Sequence, residues 1–311
     1  MADANPSGRT QARQGNLGNG SGCGVLLVDK QAGITSHDAV AALRRLAGIR
    51  RVGHAGTLDP FASGLLLILV GRATRFFDLL APLAKKYKVL AQFGARSTTG
   101  DIAGEITPVP GAVTEAGLKV VLPRYTGTII QRVPAYSAVR QGGERLYKMA
   151  RRGEPVAPPL RQAVVHSLKL ESFDEAAQQA RLAVSCAKGT YIRSLVEDIA
   201  GALGAGAYAA ALRRVGVGNF KVEDAATLDT LAQFERGALL GWRNPSFLSP
   251  VSALYFLPVR ELEAIEMEAV KSGCFLTGDE TGPVLLTSAG SLLAVYQPAG
   301  RGRIRPQVVL T

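Results

Sequence analysis

Cysteine and histidine are scarce in this chain, three of each in 311 residues. Cys23, Cys186 and Cys274 are far apart, odd in number and form no CxxC pair, which suits a reducing compartment better than a disulfide framework. His37, His54 and His166 are equally scattered. With neither HExxH nor a Cys/His cluster, no metal site is expected. Long apolar runs are missing too. The longest, Leu65-Leu66-Leu67-Ile68-Leu69-Val70, is strand-sized and far short of the roughly 18 residues that cross a bilayer. Met1 to Gly22 has no apolar stretch of the kind a secretory signal carries, so the expected location is the cytoplasm, with no membrane partner. Nucleotide-binding loops are absent as well. Neither GxGxxG nor GxxxxGK[ST] occurs, the early glycines precede the first strand, and Lys188-Gly189-Thr190 lacks the first glycine of a P-loop.

What is abundant is positive charge. Lysine and arginine number 36 against 25 acidic residues, a formal net charge of +11. A polyanion is the partner this favours, RNA or DNA first; a merely solubilising surface is the plainer alternative, and the clustering of the arginines argues against it. Hydrophobic residues make up 47% and charged residues 20%, the composition of a globular chain long enough for a large domain and a small one.

Residues 1–22, rich in Gly, Asn, Ser and Gln, are expected to be a disordered tail. Gly24 to Asp29 has the apolar run of a buried strand. Thr35-Ser36 supplies a helix N-cap, Val40, Leu43 and Leu46 or Ala47 keep helical spacing, and Gly48 ends the helix. A glycine-bearing loop from Arg50 to Pro60 follows, carrying Arg, His and Asp, and enters a strand at 65–70. Lys85 to Phe93 alternates, with Tyr87, Val89, Ala91 and Phe93 on one face. A short amphipathic helix is expected at 114–122, strands at 162–172 and 180–187, a helix from there to about Leu203, and a helical stretch from Thr227 to Leu240. Past the Pro- and Ser-bearing linker at 244–250, short strands punctuated by Gly and Pro suggest a small β domain. Strands and helices without strict alternation indicate α+β.

The most specific stretch is His54-Ala55-Gly56-Thr57-Leu58-Asp59-Pro60-Phe61-Ala62-Ser63-Gly64. It resembles the signature of the TruB-type pseudouridine synthases, the bacterial tRNA pseudouridine-55 synthases, and the family's aspartate falls on Asp59. Gly24 to Lys30, Lys85 to Val89, Lys188 to Leu195 and Leu212-Arg213-Arg214 match further family blocks in the same order, so the likeness covers roughly residues 24–250. Without those flanks, Asp59-Pro60 would read as an ordinary turn.

The resemblance implies a central mixed, largely antiparallel sheet with helices and an inserted thumb at about 124–160, within a catalytic domain of residues 23–250. A small PUA-like β domain would follow at 251–311. It also implies a monomeric enzyme that isomerises uridine 55 in the T loop of tRNA, with no cofactor and no guide RNA. Breaking a C–N bond and making a C–C bond between the same two partners involves no redox change, which agrees with the missing cofactor motifs. Asp59 would be the catalytic carboxylate, and Arg193 would pair with it and keep it ionised. Tyr87 would stack on the base and take a proton late in the reaction, a role its ordinary pKa near 10 makes demanding. Tyr191 and Leu212 would line the uracil pocket, and His54 would touch the everted loop. In the thumb, Arg145, Lys148, Arg151 and Arg152 would contact the RNA backbone. A guide-dependent catalytic subunit and a tRNA-folding chaperone are the alternative functions.

Overall fold

The computed structural model describes residues 22–241 and 243–310. The segment 1–22, expected to be a tail, lies outside the described residues apart from Gly22. Two compact units divide the chain, Gly24–Leu248 and a second that begins at Ser249, two residues ahead of the expected break.

The large unit opens with strand β1 (Gly24–Lys30) and helix α1 (Ser36–Ala47). Thr35 caps that helix. Its hydroxyl accepts from the Asp38 amide while the Asp38 carboxylate accepts from the Thr35 amide, and Gly48 closes the far end at a φ of 67°. Val40, Leu43 and Ala47 form its buried face. Strands β2 (Val52–His54), β3 (Ser63–Val70) and β4 (Lys85–Phe93), helix α2 (Glu115–Val121) and strand β5 (Gly127–Arg132) follow. Then come helix α3 (Leu146–Arg151), strands β6 (Leu160–Asp174) and β7 (Gln179–Cys186), helix α4 (Ile192–Ala202), and strands β8 (Ala207–Val217) and β9 (Ala226–Thr227).

The main run of the sheet is β9-β1-β3-β8-β4-β7-β6-β5. Only the β9–β1 and β3–β8 pairings are parallel, so it is the mixed, largely antiparallel sheet the resemblance implied. Strand β3 reads as an unbroken apolar run because seven of its eight residues are buried. Strand β4 alternates as expected, with Val89, Ala91 and Phe93 in the core and Lys86 and Lys88 outside.

Two expectations need correction. The basic segment beginning near 124 is not all insertion. Arg124 lies in a 3-10 turn at Leu122–Tyr125, and β5 pairs with β6 along its whole length. Ile129 and Gln131 point into the unit, so this stretch completes the sheet, and only residues 133–159 leave it. The helical stretch at 227–240 is two short helices, Leu228–Ala232 and Arg236–Leu239.

Among the described residues, the second unit is a five-stranded sheet with two helices, Pro250–Ala253 and Ala264–Lys271. Its order is β10 (Val259–Glu261), β12 (Val284–Ser288), β13 (Ser291–Gly300), β14 (Arg303–Val309) and β11 (Leu276–Thr277), around a core that includes Val270, Leu286, Tyr296 and Ile304. Its acidic residues are largely used internally. Glu266 and Glu280 pair with Arg260, and Glu261 accepts from Thr287 and the Ala289 amide.

Candidate active site

The loop between β2 and β3 is held from three sides, and Asp59 is at its centre. From α1, the Ser36 hydroxyl donates to the Leu58 carbonyl and accepts from the Leu58 amide, at 3.1 and 2.8 Å. From the end of β1, the buried Lys30 ammonium donates to the carbonyls of Ile34 and Pro60. From β8, the Arg214 guanidinium donates to the carbonyls of Gly56, Thr57 and Leu65 at 3.1, 3.2 and 2.7 Å. Gly64 has a φ of 106° and lies so close to Arg214 that a Cβ there would overlap the Arg214 backbone. These contacts explain the glycines of the motif mechanically. The backbone must turn sharply and approach β8 without side chains in between.

Asp59 projects from this loop with 37% of its side chain exposed. Its Oδ2 accepts from Arg193 Nε at 3.0 Å, and its Oδ1 has no hydrogen-bond partner among the described residues. Arg193, in the first turn of α4, is 4% exposed. It also donates to the carbonyls of Thr99 at 2.6 Å and Tyr136 at 3.0 Å, and its Nη1 lies 3.5 Å from Asp101 Oδ2. Asp101 is held in turn by the Thr99 hydroxyl and the Ala103 amide. A buried guanidinium with every edge occupied has one orientation available, and that orientation fixes the carboxylate it serves.

Tyr87 and Leu212 come from neighbouring strands, β4 and β8, where Leu212 pairs with Val89 and Arg214 with Tyr87. Leu212 is buried, while Tyr87 is half-buried. Burial pushes the Tyr87 phenol above its ordinary pKa, opposed by the charge and hydrogen bond of Arg214, and Asp59 is near enough for its charge to count. Tyr191 caps α4, its backbone clasped by the buried Gln131 side chain through two hydrogen bonds. Burial raises its phenol too, and Asp59 and Arg193 are among the charges it feels. Asp59, Arg193, Tyr87, Tyr191 and Leu212 thus share one neighbourhood. Cationic neighbours are plentiful there. Burial lowers Lys30 and Lys85 to about 8, with Asp59 opposing the shift at Lys30.

His54 ends β2 one residue before the loop. Its buried Nδ1 has no hydrogen-bond partner among the described residues, and burial, then Arg214 and His37, hold its pKa below the ordinary imidazole value. The four basic thumb residues lie elsewhere, on the 133–159 insertion. Arg145, Lys148 and Arg151 are exposed, with Arg151 stacked 5.6 Å over the Tyr147 ring. Arg152 is already engaged, paired with Glu144 at 2.7 Å and Glu154 at 2.6 Å.

Reading the sequence did not single out Asp101, Lys30 or Arg214 as site residues. Asp101 sits in a Ser/Thr/Gly-rich loop, where an aspartate looks like turn chemistry. Arg214 had a signal, because period-two spacing puts it on the same strand face as Leu212.

Residues 44–192 match the TruB family pseudouridylate synthase N-terminal domain, and residues 193–240 match the tRNA pseudouridylate synthase B C-terminal domain. The chain is 41% identical over 296 residues to tRNA pseudouridine synthase B of Thermobifida fusca, covering 92% of this chain and 98% of that protein. It is 38% identical over 298 residues to the protein of the same name from Methylobacillus flagellatus, covering 92% and 95%. Among solved structures it resembles a Cbf5-Nop10-Gar1 complex, at 26% identity and a TM-score of 0.69 over 90% of this chain and 79% of that one. It also resembles an H/ACA RNP bound to a substrate RNA containing 2′-deoxyuridine, at 25% identity and a TM-score of 0.70 over 93% and 86%.

Proposed function

The chain belongs to the TruB family of pseudouridylate synthases and isomerises uridine to pseudouridine in tRNA, and from that premise we propose that it acts at uridine 55 of the T loop with Asp59 as its catalytic carboxylate. One observation carries the proposal. Asp59 leaves one oxygen without a hydrogen-bond partner among the described residues, while the other is clamped by a buried arginine whose Nη1 and Nη2 also donate to protein carbonyls. An anion so positioned can attack C6 of the base or C1′ of the sugar, or assist cleavage by removing a sugar proton; all three require its charge.

The reaction balances within the substrate. The N1–C1′ bond breaks, the base turns, C5 bonds to C1′, the C5 proton leaves and N1 gains one. Tyr87 is the acceptor for the C5 proton, and its ring, with Tyr191 and Leu212, walls the pocket for a base drawn out of its stack. His54 faces the RNA loop in this reading, with burial holding its ring below the ordinary imidazole pKa. The chain works as a monomer without a guide RNA or cofactor. The 133–159 insertion supports that reading, since its exposed Arg145, Lys148 and Arg151 offer the chain its own grip on phosphate. The C-terminal unit is a PUA-like domain in this reading, and the cytoplasm is where the protein meets tRNA.

The test is to incubate purified protein with an unmodified tRNA transcript, then with an isolated T stem-loop, and map pseudouridine. Product at uridine 55 in both, without metal, nucleotide or guide, is the expected outcome. Product only at other positions, or none from the stem-loop, overturns the assignment.

A further inference from the structure

The large unit buries two arginines beside its pocket, and they differ in one respect. Arg193 is neutralised by Asp59 and Asp101. Arg214 is 1% exposed and makes no ion pair among the described residues. Its guanidinium donates to the carbonyls of Gly56, Thr57 and Leu65, which take its hydrogen bonds but bring no countercharge. Two further buried cations, Lys30 and Lys85, feel it as a repulsion that lowers both. Removing a guanidinium from water without a counter-ion is costly, and a carboxylate nearby would be the simplest remedy. Here the charge is left uncompensated.

What that charge faces is Tyr87, paired in register with Arg214 across β4 and β8. We infer that Arg214 is a positioning residue that holds the Tyr87 hydroxyl ready as proton acceptor, while the same guanidinium ties that strand to the loop bearing Asp59. The inference rests on the reading of Tyr87 as the group that takes the C5 proton. A phenol is a poor base unless its anion is stabilised, and burial works against the anion. Arg214 opposes burial by charge and by hydrogen bond. The other groups facing Tyr87 do not help. Cys186 on β7 is a neutral thiol pushed up to about 11, and Asp59 repels a phenolate. The proton balance is simple. C5 gives its proton to the phenolate oxygen, N1 of the base takes one from solvent, and the phenol returns its own to solvent.

The experiment compares Arg214→Gln, which loses the charge but keeps an amide donor, with Arg214→Lys, which keeps the charge but loses the three-carbonyl clasp. Two quantities are read: the single-turnover rate, and the ionisation midpoint of Tyr87 from near-ultraviolet tyrosinate absorbance, isolated by difference against Tyr87→Phe. In Arg214→Gln the midpoint should rise by about one pH unit and the rate fall about tenfold or more. Arg214→Lys should keep a midpoint near wild type and recover much of the rate. Equal rate losses in both variants with an unmoved midpoint would make Arg214 a structural clasp only and overturn the inference. If the Gln variant does not fold, a cycle with Tyr87→Phe decides: Arg214→Lys should cost nothing more in that background, and additive losses overturn the inference. A Tyr87→Phe enzyme with near-normal turnover would instead overturn the reading of Tyr87 as base, a separate result.

Discussion

Arg193 and Arg152 are each held between two carboxylates, one in the pocket and the other on the 133–159 insertion. Arg193 lies between Asp59 and Asp101 with 4% of its side chain exposed; Arg152 lies between Glu144 and Glu154 with 47% exposed. The contacts of Arg152 are the shorter, at 2.7 and 2.6 Å against 3.0 and 3.5 Å, but their surroundings make them different objects. Water competes for every donor of Arg152, and salt screens its pairs, so the cluster can open toward another anion. Arg193 has no such alternative. Its carbonyl partners at Thr99 and Tyr136 come from separate loops, and losing it would strand buried charge. The same residue types thus build a fixed frame around Asp59 in one region and an adjustable surface in the other.

The largest expected effect is at Asp59. Asp59→Asn keeps the shape and removes the anion, so turnover should fall by several orders of magnitude, about 10⁴-fold or more, while tRNA binding stays near wild type. Single-turnover assays beside a binding isotherm measure both, and a folded variant within about tenfold of wild type would remove Asp59 from the mechanism. Arg193→Met against Arg152→Met tests the comparison directly. The first should cost about 3 kcal/mol in denaturant unfolding, as removal of one partner from a buried pair does, and the second should leave the midpoint unmoved. Equal effects would mean that burial is not what separates them. Next comes Tyr87→Phe, which keeps the ring and should slow turnover about 10²-fold at unchanged affinity.

Effects on the insertion should be smaller and confined to binding. Arg151→Ala should weaken tRNA affinity and reduce the slope of log K against log salt by about one. Arg152→Ala should change that slope less, because its charge is already shared with Glu144 and Glu154. A larger slope change at Arg152 would show that RNA displaces those glutamates.

The smallest effect concerns pH. Lys30 and Lys85 sit at about 8 in the folded chain against an ordinary 10.5. Below pH 8 both stay charged in the folded and unfolded states, and the burial penalty is fully felt. Between pH 8 and 10.5 the folded chain releases protons that the unfolded chain keeps, so their contribution to stability rises with pH across that window. Denaturant midpoints should show the rise in wild type and a weaker one in Lys85→Met; identical slopes would mean that Lys85 is not neutralised there.

Much of the fold was legible in the sequence, for local reasons. Helix α1 announced itself through Thr35, its apolar spacing and Gly48; β4 announced itself through alternation. Asp59 and Arg193 stood out because the contiguous blocks around them resemble family motifs. Residues 124–132 misled, because the basic composition of the 124–160 segment does not show where an edge strand ends and a projecting insertion begins, and only pairing with β6 separates them.

The sequence by itself determined the family, the α+β class and the order of the main elements, since each is written in spacing or in a contiguous block; that Asp59 and Arg193 pair came only from the family resemblance. The tertiary structure alone decided what surrounds that pair. Residues Ala207 to Ala211 are rich in good helix formers, yet they form a strand, because β4 pairs along them, β3 joins β8 at Arg213 and Arg214, and their small side chains let α4 pack against β8. Becoming a strand there brings Arg214 against the Asp59 loop and Asp101 within reach of Arg193, across separations of more than 90 residues. No local pattern records such meetings. They follow from which strands pair, and pairing is settled by the burial of the whole sheet.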